Sequence, residues 1–211
     1  PGLSSSPRAT RLASDFGIDP SRPLIVAGST GPGEEALLHH ACPPQAQLMC
    51  APRRPDRFEE AARAIPGCIR RSATRERGGR PIGGDRFLLD TIGELTDAYC
   101  LADVVVIGRS FGDLYGSDPI EPVALGRPTV IGPRVSDFSA IVGALGAAGG
   151  VLQTDRARLG PDLAALLADP ARRASLVRAG LDCIRVNQGA SRRHAELLLA
   201  MAETRGSPGG P

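Results

Sequence analysis

Short, uncharged apolar runs recur along this chain, each closed by glycine or proline and followed by a capping group and a helix-like pattern. Pro23-Leu-Ile-Val-Ala-Gly28 leads into Ser29-Thr-Gly-Pro-Gly-Glu-Glu35, where capping residues and early acids suit a helix start. Ala46-Gln-Leu-Met-Cys-Ala51 leads into Pro55-Asp-Arg-Phe-Glu-Glu-Ala-Ala-Arg-Ala64, with proline in the first helical turn. Phe87-Leu-Leu-Asp90 precedes a helix expected over 92–102. Val104-Val-Val-Ile-Gly108 precedes a glycine-rich loop and a short helix over 121–125, and Pro128-Thr-Val-Ile-Gly132 follows as another strand. A last strand is expected over 149–153, then helix over 159–203, broken at Pro170 and at 187–189. Runs that are apolar on both phases belong to strands covered on both faces, so this repetition specifies an α/β protein: a Rossmann-like parallel sheet flanked by helices. Residues 1–22 read as a linker or lead-in, although 9–16 suit a helical turn or two. Residues 23–205 read as the domain, 70–84 within it as an arginine- and glycine-rich loop, and 206–211 as a disordered tail.

Composition removes several chemistries. At 211 residues, 42% hydrophobic and a net charge of +2, the chain suits one well-buried domain. All 25 basic residues are arginine, so neither a phosphate loop ending in Lys-Ser/Thr nor a Schiff-base mechanism is possible within it. Arginines must do any anion binding. They are scattered rather than striped, which argues against nucleic acid. No apolar run reaches the ~20 residues that a bilayer helix needs, and no signal-peptide pattern opens the chain, so a cytoplasmic protein without direct membrane insertion is expected. Five widely spaced cysteines without a C-x-x-C pair read as free buried thiols in a reducing compartment, not as a metal site. With no tryptophan and 3% aromatics, an aromatic stacking platform is excluded, so any sugar is held by polar groups. No cofactor is expected.

In parallel α/β sheets ligands bind outside the carboxyl ends of the strands, so the loops after strands are the candidate site. Four share one character, small residues beside polar groups just before a helix. Ser29 and Thr30 lie in the first, where capping and early acids explain the pattern as well as a ligand does. Arg53 and Arg54 lie in the second, where a phosphate or carboxylate could be held bidentately or the arginines could simply be solvated; Arg57 falls inside the helix and reads as structural. Ile92, Gly93 and Glu94 lie in the third, with Thr91 as a natural cap. The fourth, residues 108–122, delivers Ser117, Asp118 and Glu121 to a helix mouth. There Glu121 either satisfies the helix dipole or accepts two hydrogen bonds from a vicinal diol such as a ribose.

The ordered motifs AGST-x-x-GEE, PRxPxRF, DTxGEL-x-x-x-Y-x-x-AD, GxS…GxxPxEP, GPxxxxF and N-x-GA resemble the C-terminal domain of bacterial 3-deoxy-D-manno-octulosonic acid (Kdo) transferases, across nearly the whole chain. The family's wording has histidine at the place of Gly31 and of Arg54, glycine at those of Arg109 and Tyr115, and His-Asn at Ser117-Asp118. The resemblance implies the C-terminal half of a GT-B glycosyltransferase, binding CMP-Kdo for inverting transfer of Kdo to a lipid A precursor, without a metal. It implies that Arg53 and Arg54 hold the phosphate or the donor carboxylate. Amides around Ser29-Thr30 and Ile92-Gly93-Glu94 would stabilise the leaving phosphate, and Ser117, Asp118 and Glu121 would fix sugar or ribose hydroxyls. It places the general base and the acceptor surface in an N-terminal domain, so no catalytic residue is expected among these 211. A donor domain for another nucleotide sugar, and a non-catalytic nucleotide-binding module, are the alternatives.

Overall fold

Runs that are apolar on both phases can be buried only if every backbone group finds a lateral partner, and a parallel sheet supplies it. The computed structural model describes residues 6–76 and 83–205. Its strands are β1 (Leu24–Thr30), β2 (Gln47–Pro52), β3 (Ile69–Arg70), β4 (Arg86–Leu88), β5 (Val104–Ile107), β6 (Thr129–Ile131) and β7 (Leu152–Gln153). They form one sheet in the order β3-β4-β2-β1-β5-β6-β7, and every pairing is parallel. The helices are α1 (Pro7–Phe16), α2 (Glu34–Ala41), α3 (Phe58–Ala64), α4 (Arg71–Glu76), α5 (Leu95–Leu101), α6 (Ile120–Ala124), α7 (Ser139–Ala148), α8 (Leu159–Ala168) and α9 (Pro170–Arg205).

The two-residue period of the strands divides the core. Leu24 and Val26 face one apolar layer with Leu12, Phe16, Met49, Phe87, Tyr99 and Val105. Ile25 and Ala27 face the other with Leu38, Leu48, Ala61, Val104, Val106 and Leu163. After β1 the chain moves to β2 and outward, then returns to lay β5 against the opposite side of β1. That reversal opens a crevice at the carboxyl ends of β1 and β5. The four candidate loops follow β1, β2, β4 and β5, which are consecutive in the sheet, so they share one edge.

Several elements differ from the sequence reading. The expected lead-in contains α1, capped by Ser6, whose Oγ accepts the Ala9 N–H at 3.1 Å. Ala9, Leu12 and Phe16 recur at helical spacing and are buried, with the Phe16 ring 5.2 Å from that of Phe87. The expected loop from 70 to 84 begins as β3 and α4, because its arginines are paired rather than solvated. Arg70 donates to Asp90 at 2.7 Å, and buried Arg71 donates to Asp15 at 2.8 Å and to Glu94 at 2.9 Å. Those acids lie 20 to 56 positions away, beyond any local pattern. The helix after β4 starts only at Leu95, and the last strand shortens to Leu152–Gln153 because Gly149 closes α7 in the left-handed region at φ 72. Helix α9 runs unbroken through 187–189. One interior glycine costs about 1 kcal/mol, too little to end a helix, and the Asn187 amide donates back to the Cys183 carbonyl at 2.8 Å. Residues 1–5 of the lead-in, 77–82 of the loop and the expected tail at 206–211 lie outside the described residues.

Candidate functional site

The crevice is built by close approach. Gly108 ends β5 where a Cβ would fall 2.5 Å from the Ser29 carbonyl oxygen and from the Thr30 Cα, so only glycine lets the two strand ends meet. On the other side of that meeting Ser29 turns at φ 57, where the register with β2 slips between Gly28 and Thr30. Glu34, 1% exposed, locks the two loops together. Its carboxylate accepts the N–H groups of Gly31 (2.8 Å), Arg109 (2.6 Å) and Phe111 (2.9 Å). The acid that reads locally as a first-turn helix residue is a bolt between loops.

The β2 loop is fastened to the same place. Arg53 donates its N–H to the Thr30 carbonyl at 3.1 Å, and the Thr30 hydroxyl donates to Glu35 at 2.6 Å. Buried Arg57 donates through both terminal nitrogens to Glu35 at 3.0 Å and also reaches Glu60, as its structural reading requires. Burial works against its charge, but the bonds to Glu35 and Glu60 outweigh it and raise the guanidinium above its ordinary value.

Above this frame lies a cleft of about 380 Å³ lined by Thr30, Gly31, Pro32, Arg53, Arg54, Asp56, Arg57, Arg109 and Leu114. Arg54 is tied to Asp56 at 3.1 Å. Among the described residues, the guanidinium groups of Arg53 and Arg109 have no carboxylate partner, so the cleft presents uncompensated positive charge. Arg109 stands at φ 59, left-handed for a residue with a side chain. A Cβ at position 31 would lie 2.6 Å from Leu114 Cδ1 and 3.4 Å from Arg109 Cγ. The space a side chain at 31 would take is therefore filled from the β5 loop.

The remaining candidates gather elsewhere along the edge. Ile92 and Gly93 are exposed beside a second cleft, of about 420 Å³, with Arg8, Arg11 and Arg75. Glu94 is not free to meet a ligand there: it accepts from Arg71 at 2.9 Å, from Arg75 at 2.9 Å and from the Thr91 hydroxyl. Asp118 is exposed and holds the Ile120 N–H at 2.8 Å, a local cap for α6. Glu121, also exposed, accepts a hydrogen bond from the Thr96 hydroxyl, tying α6 to α5. The Ser117 Oγ is buried without a hydrogen-bond partner among the described residues. Tyr99 lies under these acids with its hydroxyl against Gly28, where an added Cβ would come within 1.9 Å. Burial, and then Glu121 and Asp118, raise its phenol well above the ordinary value.

The structure thus brings Ser29, Thr30, Arg53 and Arg54 to one crevice, places Ser117, Asp118 and Glu121 on the next segment of the edge, and sets Ile92, Gly93 and Glu94 at the second cleft. Sequence reasoning missed Arg109 as part of the cleft and Glu34 as its fastener. The signal for Arg109 was present, since it replaces a glycine of the resembled pattern. Among the described residues no three His, Cys, Asp or Glu side chains gather to hold a metal, and no helix is long and apolar enough to cross a membrane. Cys42 and Cys50 are buried, while Cys68, Cys100 and Cys183 are half-buried; all five are free thiols.

No protein-family profile matches the chain. In an alignment of 189 positions that covers 84% of the chain, it is 35% identical to a 3-deoxy-D-manno-octulosonic acid transferase of Bordetella pertussis, of which it spans 44%. The crystal structure of the C-terminal CMP-Kdo binding domain of WaaA from Acinetobacter baumannii superposes with a TM-score of 0.75 at 27% identity, covering 84% of this chain and 96% of that one. The C-terminal domain of a group 1 glycosyl transferase from Francisella tularensis superposes with a TM-score of 0.57 at 14% identity, over 88% and 94% of the two chains, a likeness of fold alone.

Proposed function

The chain belongs to the Kdo transferases, as the C-terminal half of a GT-B fold, and from that premise we propose that it binds CMP-Kdo and presents it for transfer of Kdo to a lipid A precursor. The observation that carries this reading is the cleft at the β1–β5 crevice with the unpaired guanidinium of Arg53 in its wall. Planar guanidinium groups match phosphate and carboxylate oxygens bidentately, and CMP-Kdo offers both.

In this reading Arg53, with Arg54 beside it, holds the phosphate or the donor carboxylate. Ser29 and Thr30 contribute backbone at the floor, because the Thr30 hydroxyl is already committed to Glu35. Asp118 and Glu121, both exposed, fix sugar or ribose hydroxyls, and Ser117 joins them once its buried hydroxyl finds a ligand oxygen. Ile92 and Gly93 act through their backbone while Glu94 positions that turn through Arg71 and Arg75. The general base and the lipid acceptor surface are assigned, from the family resemblance, to an N-terminal domain; the chain spans 44% of the Bordetella relative. The chain works in the cytoplasm, with the acceptor at the inner membrane, and by itself binds donor without turning it over.

Calorimetry with CMP, UDP and CMP-Kdo tests the reading. CMP is expected to bind at least about tenfold more tightly than UDP, a difference of about 1.4 kcal/mol. Equal affinity for UDP overturns the Kdo assignment in favour of another nucleotide-sugar donor, the reading that the Ser117-Asp118 pair favours. Binding of neither nucleotide favours a non-catalytic module.

A further inference from the structure

We infer that Arg109 is a second anion-holding residue of the cleft, dividing with Arg53 the two negative charges of an acidic nucleotide sugar; this rests on the donor reading above. In CMP-Kdo one anomeric carbon carries both the phosphate ester and the carboxylate, so two anions lie within a few bond lengths of each other. A neutral hexose donor lacks the second at that carbon. The cleft matches the pair: Arg53 enters from the end of β2, Arg109 from the end of β5, and neither has a carboxylate partner among the described residues. Two guanidinium groups left unpaired in one cleft repel each other, and an anion between them removes that repulsion.

Arg109 is also held where a side chain is costly. Its backbone sits at φ 59, a region that non-glycine residues avoid because Cβ crowds the carbonyl. Glu34 fixes that conformation by accepting the Arg109 N–H at 2.6 Å. Strain of this kind persists where a side chain is needed at that point. The resembled pattern has glycine here and histidine at position 31. This chain reverses the arrangement, with Gly31 bare and the Arg109 Cγ 3.4 Å from where a Cβ at 31 would be. In this chain the polar side chain beside position 31 comes from the β5 loop and is a permanent cation.

The test is calorimetry of the 211-residue chain and its Arg109→Gly and Arg109→Lys variants with CMP-Kdo and with CMP, beside thermal melts. Arg109→Gly is expected to weaken CMP-Kdo about tenfold while the melting temperature holds or rises, since glycine relieves the strain. Arg109→Lys, which keeps the charge but not the bidentate fork, is expected to lose less affinity than Arg109→Gly. A loss shared by CMP assigns Arg109 to the phosphate, and a loss confined to CMP-Kdo assigns it to the carboxylate; both support the inference. Unchanged CMP-Kdo affinity in Arg109→Gly, with the wild type binding, overturns it and leaves the donor reading intact. A wild type that binds neither ligand overturns the donor reading itself. A drop in melting temperature that Arg109→Lys does not restore marks the arginine as structural and overturns the inference too.

Discussion

The carboxylate of Glu34 accepts the backbone N–H of Arg109 at 2.6 Å, across 75 positions of sequence. With the N–H groups of Gly31 and Phe111 it completes a three-donor socket, so one acid sets the spacing between the loops that carry Thr30 and Arg109. The width of the cleft depends on this contact before any ligand arrives.

Removing the bolt leaves three buried donors without an acceptor. Glu34→Ala is expected to lower stability by about 3 kcal/mol, and Glu34→Gln, which keeps one acceptor oxygen, by less. Urea denaturation gives the ranking. Equal, small effects would mean that water replaces the carboxylate and that the socket is not rigid.

Glu121 makes the opposite case. It is exposed, and it accepts a hydrogen bond from the exposed Thr96 hydroxyl. Glu121→Ala is therefore expected to change stability by no more than about 0.5 kcal/mol while weakening nucleotide or donor binding about tenfold. A large stability loss with unchanged binding would reduce this glutamate to a tie between α5 and α6.

The Arg57–Glu35 pair is internal, with side chains 10% and 1% exposed. Arg57→Met strands a buried carboxylate that retains, among the described residues, the Thr30 hydroxyl, and a loss of about 3–5 kcal/mol is expected. Adding Glu35→Gln should recover a substantial part of it. If the double variant is no more stable than the single one, the cost lies in lost packing of the arginine stem.

Acid should loosen the β4 edge. Burial raises the Asp90 carboxyl, but bonds from the Ser72 hydroxyl, the Ser72 N–H and Arg70 outweigh it and hold it below its ordinary value. Burial likewise acts on Glu94, where Arg71 and Thr91 win. Unfolded carboxyls titrate near pH 4. Groups held lower in the fold add stability above that value and lose it as the pH falls through their folded-state values. Melting temperatures between pH 7 and pH 3 should drop steeply below about pH 4, and Asp90→Asn should flatten part of that drop. Parallel curves for the two proteins would show that Asp90 is not among the responsible groups.

The strands around Leu24–Thr30, Gln47–Pro52 and Val104–Ile107 were legible because a strand covered on both faces must be apolar on both phases, a property of consecutive residues. Helix α1 was half legible: Leu12 and Phe16 have helical spacing, but nothing local says that Phe87 waits beneath them. The two residues of β3 carry no periodicity at all, and Arg70 and Arg71 look like loop until Asp15, Asp90 and Glu94 are seen to meet them.

By itself, the sequence determined the α/β class, the order along the chain of every described strand except β3, the four loops that precede helices and the family pattern they spell, since each depends on neighbours within a few residues. Only the tertiary structure decided which polar groups remain free. Strand order sets β1 against β5, and that contact commits Glu34 to the loop backbones; the paired strands likewise commit Arg57 to Glu35 and Glu94 to Arg71. Arg53 and Arg109 are left facing the same cleft without carboxylate partners. A charged group is a site or a strut according to what lies beside it, and in this fold that neighbour comes from a distant part of the chain.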